Sequence, residues 1–282
     1  MSLTKALDRM LSPWFSDPRS KRGRARRAGL CLEPLEDRCL LSSDVVIEWN
    51  QTLLNEIRSN KTPPPPASRV MAIVQVAVFD AVNAIDGSYQ PYVLDGVPKR
   101  DKNGSLVAAA AQAAHDALVA LYPQDQAALD AQLQSDLAAI RDQGALKKGV
   151  EVGQRAAAAI LAARAGDGAS KTVSYTPGSG AGVWQPTPPG FLLAAFPQWA
   201  TLTPFTMTSD SQFRPTGAPD LTSDAYTAAL NEVKELGGDG VTTPTSRTPE
   251  QTTIAQFWAD GVGTETPPGH WNQIAEDVAR AR

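Results

Sequence analysis

Apolar residues fall on nearly every face of the stretch Ala67–Ile85, ASRVMAIVQVAVFDAVNAI: Val70, Met71, Ile73, Val74, Val76, Val78, Phe79, Val82 and Ile85. A helix that is apolar all round belongs in the middle of a core or in a membrane. Arg69, Gln75, Asp80 and Asn83 break any clean run of about 18 apolar residues, so the pattern predicts the central helix of a soluble bundle, not a transmembrane segment. Pro63–Pro66 cannot be helix interior, which puts the predicted start near Ala67 or Ser68; Gly87 and Pro91 end it.

The same periodicity reads along the rest of the chain. Val45–Ser59 is an amphipathic helix with Val46, Trp49, Leu53, Leu54 and Ile57 on one face. An Ala-rich helix spans Leu106–Tyr122 and stops at Pro123; small side chains let its neighbours approach closely. Gln124–Arg141 carries the stripe Leu129, Leu133, Leu137 and Ile140, and Ala145–Arg164 carries Leu146, Val150, Ala157, Ile160 and Leu161. Short connections predict antiparallel neighbours in an up-and-down arrangement.

Gly166–Leu221 breaks the pattern. It is rich in Gly, Pro, Ser and Thr, yet holds Tyr175, Trp184, Phe191, Phe196, Trp199, Phe205 and Phe213. Disordered linkers are poor in aromatic residues, so the stretch is expected to be an ordered meander, pinned to the bundle through Trp184, Trp199 and Phe213, with one short helix around Leu192–Phe196. Helix returns at Ser223–Leu236 with Tyr226, Leu230 and Val233 inward. Thr248-Pro249-Glu250-Gln251 carries the signature of a capping box, opening a helix that buries Ile254, Phe257 and Trp258. A last helix is expected over His270–Arg282 with Ile274 and Val278 inward; it meets no terminator, so the chain reads as cut short. The fold class is therefore all-α: a helical bundle with a long ordered Gly/Pro-rich meander.

Charge changes this picture at one end. The net charge is −4, which suits no polyanionic partner, but residues 1–45 carry nine Lys/Arg against six Asp/Glu. Arg19, Lys21, Arg22, Arg24, Arg26 and Arg27 form a basic run without interleaved aromatics, read as a solvated leader and not as a nucleic-acid site. Residues 1–44 are expected to be a disordered leader, dispensable for folding, and 45–282 the helical domain. Cys31 and Cys39 are the only cysteines, so any bridge between them lies outside the core. Glu33, Pro34, Glu36, Asp37 and Arg38 interrupt any secretory apolar region. The string LEPLEDRCLLS nevertheless resembles an N-terminal sorting motif of exported proteins from certain budding bacteria. That implies a periplasmic or extracellular location, the alternative being cytoplasmic.

Candidate chemistry is sparse. Gly178-Ser179-Gly180-Ala181-Gly182 lacks the following helix that a phosphate loop needs and reads as a turn. His115 and His270 are the only histidines, too few for a three-His metal site, and His270 has Gln273 and Ile274 at the helical ligand spacings. His115-Asp116 reads as a half-buried or surface pair. Asp80 and Asn83, on the central helix, are expected to tie neighbouring helices or loops together, because buried polar groups require partners.

Several strings together resemble the vanadium-dependent haloperoxidases of the type 2 phosphatidic-acid phosphatase superfamily. They are Trp49-Asn50, Thr62–Pro66, Ser68-Arg69, Phe79–Ile85, Tyr89-x-Pro91-Tyr92, Tyr175–Gly178, Val183–Pro189, Gln212–Pro215, Phe257–Asp260 and Pro267–Asn272. The resemblance covers about residues 45–282 in family order. It implies an all-α protein of two helical bundles that oxidises halide with hydrogen peroxide or hydrolyses phosphate esters. The vanadate or phosphate pocket belongs to the second half of such proteins: Lys-x6-Arg-Pro, then Pro-Ser-Gly-His, then Ser-Arg-x5-His.

Arg214-Pro215 and Pro267-Pro268-Gly269-His270 mimic the first two of those elements, but the Lys position is Met207 and the Ser position is Pro268. Twelve residues follow His270 and none is His. Vanadate binding needs converging cations and an imidazole. No catalytic, cofactor-binding or metal residue is therefore assigned, and no bound cofactor is expected. The chain reads as the N-terminal scaffold of a haloperoxidase-like protein, inactive alone, whose partner would be a missing C-terminal catalytic bundle. The alternatives are a free-standing exported helical binding or structural protein, and a fragment of an acid-phosphatase-type member of the same superfamily.

Overall fold

The computed structural model describes residues 41–94, 96 and 102–281. The basic run, Cys31, Cys39 and most of the sorting-type string lie outside the described residues. Among those described, the protein is all-α. Its helices are α1 (Leu41–Ser59), α2 (Pro64–Asp86), α3 (Leu106–Leu121), α4 (Gln126–Ala138), α5 (Gln143–Arg164), α6 (Asp224–Leu236), α7 (Pro249–Phe257) and α8 (Thr266–Arg280). Helix α1 begins at Leu41, a few residues inside the stretch read as leader.

The apolar-all-round stretch is the centre. Helix α2 packs against α1, α3, α5 and α8. Its length and composition would suit a membrane span, but Ala67, Ile73, Val74, Ala77 and Ala81 are sealed inside the bundle. The helix starts at Pro64, earlier than expected, because prolines lacking N–H groups are tolerated in a first turn whose donors have no intrahelical partner. It ends at Gly87, whose left-handed φ of 77° lets its N–H reach the Asn83 carbonyl at 2.7 Å.

Helices α3 and α5 owe their close approach to small residues. Ala108–Ala111, Ala113, Ala114 and Ala117 are buried on α3. A Cβ built at Gly153 of α5 would sit 2.7 Å from the Ala109 carbonyl oxygen, so only glycine permits this contact. Trp49, Leu53, Leu54 and Ile57 from α1, with Leu118, Leu129, Val152 and Ile160, complete the core. Val45 is buried instead of Val46, which is 36% exposed.

Asp80 and Asn83 do tie a loop to the helix. The buried Asp80 carboxylate accepts the backbone N–H groups of Tyr92, Val93 and Leu94 at 2.7, 2.8 and 3.0 Å. The Asn83 side chain pairs with both backbone groups of Tyr89, each at 2.8 Å.

The meander is held by a different residue from those expected. Phe205 stacks on Tyr92 at 6.5 Å between centroids, and its ring lies 3.9 Å from the Arg164 guanidinium carbon. Arg164 is buried and pairs with Asp167 at 3.0 Å, which Arg69 also holds at 2.7 Å. Trp199 is half-buried beside Phe196, whereas Trp184 and Phe213 are 45% and 75% exposed. A 3-10 turn forms at Pro197–Thr201, and the expected helix at Leu192–Phe196 is absent: Phe196 has left-handed φ, and prolines flank the segment.

Helices α6, α7 and α8 correct a second expectation. Leu230, Val233, Ile254, Phe257, Trp258, Ile274 and Val278 are all exposed among the described residues. Helix α8 packs against α1 and α2, yet these apolar side chains stay exposed. The capping box of α7 forms as read, with the Thr248 hydroxyl accepting from Gln251 N–H and the Gln251 side chain accepting from Thr248 N–H.

Candidate functional site

Titratable groups with chemical potential converge where α7 meets α8. Phe257 and Trp258 close α7, the loop 259–265 carries Asp260 and Glu265, and Thr266-Pro267-Pro268 opens α8. Thr266 adopts a left-handed φ of 69°, which turns the chain sharply into that helix. Gly269 accommodates Glu265, because a Cβ there would stand 2.8 Å from the Glu265 Cβ. His270 follows one turn into α8.

The imidazole of His270 is buried in an aromatic box. Trp258 stacks on it at 4.8 Å with planes 26° apart, Phe257 meets it edge-on at 4.6 Å, and Trp271 stacks on Trp258 at 5.6 Å. Its Nδ1 lies 3.0 Å from Oδ2 of Asp260. Glu265 completes a trio: one ligand atom each from Asp260, Glu265 and His270 lie within 4.8 Å of one another. Arg58 of α1 holds Glu265 Oε2 at 3.0 Å.

This environment does not fit vanadate or phosphate. An oxyanion needs converging cations, and His270 faces two carboxylates instead. Arg214 is exposed in the meander, and the groups described against His270 are Asp260, Phe257 and Trp258. Pro268 and Met207 offer no donor or charge. The sequence pattern that imitated an oxyanion signature is thus built into a site of the opposite charge preference.

Asp260 and Glu265 are the residues that sequence reasoning passed over. Testing His270 for partners one helical turn ahead could not find groups five and ten residues behind it, joined only by a loop. The signal available was the string Phe257-Trp258-Ala259-Asp260, already singled out, together with His270.

His115 sits elsewhere, on α3. It is buried, between Asp116 at 2.8 Å and Asp130 of α4 at 2.7 Å, with Trp49 edge-on at 6.2 Å. Burial opposes the charged form, yet the two carboxylates outweigh it and hold the imidazole pKa above its ordinary value. Both ring nitrogens are occupied, so this residue joins helices and offers nothing to a ligand.

No protein-family model matches the sequence, and no curated protein does. A solved structure does: a bacterial vanadium-dependent iodoperoxidase, 23% identical, with a TM-score of 0.69 over 85% of this chain. The chain spans 61% of the length of that iodoperoxidase chain. At this identity the likeness speaks for the fold, and the fold of this chain is haloperoxidase-like.

Proposed function

We infer that this chain is the scaffold portion of a vanadium-dependent haloperoxidase-like protein and does not itself hold the oxyanion. The observation that carries the reading is the fold match, which takes in 85% of this chain but only 61% of the iodoperoxidase chain. The residues agree with it: Met207 and Pro268 stand where a Lys and a Ser would be needed, and His270 has two carboxylates, Asp260 and Glu265, beside it.

The exposed apolar stripes of α6, α7 and α8 support a second helical bundle as the partner. In this reading that bundle supplies the cationic clamp and the histidines, and the assembled protein oxidises halide with hydrogen peroxide. Vanadate would then be bound by the partner bundle. The resemblance of LEPLEDRCLLS to a sorting motif supports export as the setting.

The test is a titration of the purified chain with orthovanadate, followed by iodide and bromide oxidation assays with peroxide. Neither binding nor turnover is expected. Losing one oxyanion-stabilising donor costs about 100–1000-fold in rate, and here several are missing. Vanadate binding in the micromolar range, or turnover abolished by His270→Ala, overturns the reading.

A further inference from the structure

The trio that repels an oxyanion has the donor chemistry of a cation site. Two carboxylates and an imidazole suit a divalent first-row transition metal; hard cations such as magnesium and calcium take oxygen alone. The three ligand atoms already lie within 4.8 Å of one another. Ligands about 2.0–2.2 Å from a shared metal stand about 3–3.5 Å apart, so only a small closure is required. The Asp260–His270 separation of 3.0 Å is already in that range.

The side chains are shielded but reachable, 11% exposed for Asp260 and His270 and 17% for Glu265. Glu265 is oriented by neighbours. Arg58 donates to Oε2 at 3.0 Å, and the Gln273 amide, in the orientation that satisfies both its ends, donates to Oε1 at 3.0 Å. Hydrogen-bonded carboxylates are the rule around metals, and each oxygen keeps a second lone pair. Arg58 is also a nearby positive charge, which places the affinity below that of an all-protein structural zinc site.

A second observation lies next to Glu265 in the chain. The Thr266 hydroxyl is fully buried and has no hydrogen-bond partner among the described residues. Leaving such a group unsatisfied costs about 1–3 kcal/mol, which marks the turn beside Glu265 as a place where a polar partner is wanted. We propose that Asp260, Glu265 and His270 form a binding site for one divalent transition-metal ion, the remaining positions being filled by water. This site is independent of the scaffold reading.

Trp258, stacked on His270, is a built-in reporter. The full chain, stripped with chelator, is titrated with Zn²⁺ by calorimetry and with Co²⁺ by tryptophan fluorescence and visible absorption. One equivalent is expected to bind, with Co²⁺ quenching the indoles and developing d–d bands. Asp260→Asn and Glu265→Gln keep the shape of each side chain, and far-UV circular dichroism checks that each is folded. Each should weaken binding about tenfold or more, while His115→Gln leaves it unchanged. No saturable binding below about 1 mM overturns the proposal. So does binding that survives both substitutions, or binding lost with His115 alone.

Discussion

Nε2 of His115, on α3, lies 2.7 Å from Oδ1 of Asp130, on α4. Nδ1 of the same ring faces Asp116 at 2.8 Å, and a histidine can donate to two carboxylates at once only as the imidazolium. The folded pKa is accordingly above the ordinary 6.5. A raised value means stability that is fully present below the unfolded pKa and lost as pH rises through the folded one. Thermal melts of the chain should therefore fall as pH increases above about 6.5. His115→Gln should remove that part of the dependence; an unchanged profile would show that the ring is already neutral.

A carboxyl pair at the end of α1 acts in the same direction. Burial, then a hydrogen bond from its acid to Asp125, then repulsion from that residue raise the pKa of Glu56 to about 7. The Asn60 amide bridges the pair, donating to Glu56 Oε2 at 3.1 Å and Asp125 Oδ2 at 2.9 Å. The protonated Glu56 is thus favoured by folding. Its contribution is complete below about pH 4.5 and disappears as pH rises through about 7. Glu56→Gln supplies a donor at every pH, so the variant should be more stable than the parent at pH 8 and no more stable at pH 4. Equal stability gains at both pH values would contradict the assignment.

How much of this was readable in advance depended on how local each signal is. The α7 capping box needs only Thr248 and Gln251, and it formed as read. The apolar run of α2 exceeds any single face, and it became the core. What failed were judgements about burial: Leu230, Val233 and Phe257 repeat with helical period, but period shows that a face exists and not that something covers it. Phe205 was one aromatic among seven in the meander, and only the positions of Tyr92 and Arg164, 113 and 41 residues away, make it the anchor. Asp260 and Glu265 were missed for the same reason, since a loop brings them to His270 and no helical spacing encodes that approach.

The anchoring of the meander makes a measurable claim. The Arg164 side chain is 5% exposed and that of Asp167 2%, and Arg164 also donates to the carbonyls of Pro204 and Thr203. Removing one partner of a buried ion pair typically costs about 3–5 kcal/mol. Arg164→Met should therefore destabilise the chain by about that amount and speed proteolytic cutting within residues 170–215. Trp184→Ala and Phe213→Ala, at exposed positions, should stay within about 0.5 kcal/mol of the parent. A larger loss at Trp184 than at Arg164 would return the anchor to the residues the sequence suggested.

Gly153 offers the sharpest test of how the bundle closes. Gly→Ala in a helix interior ordinarily stabilises by about 0.5–1 kcal/mol, through chain entropy. Here a Cβ would meet the Ala109 carbonyl oxygen and the Gln112 Cβ at 2.7 Å and the Ala113 nitrogen at 3.0 Å. Two of those are backbone atoms of α3, which cannot rotate away, so the helices must separate. Overpacking of that kind costs about 1–3 kcal/mol, more than the entropy gain. Gly153→Ala should therefore lower the melting temperature by several degrees, about 2–4 °C for each kcal/mol in a domain of this size. Gly149 behaves alike, with the Ser105 carbonyl oxygen 2.5 Å from its built Cβ. Gly166, just beyond α5, has nothing within 4 Å of its built Cβ and should accept alanine without loss. A Gly153→Ala variant that melts above the parent would mean that α3 and α5 do not approach closely, and the packing of the bundle described here would have to be rebuilt.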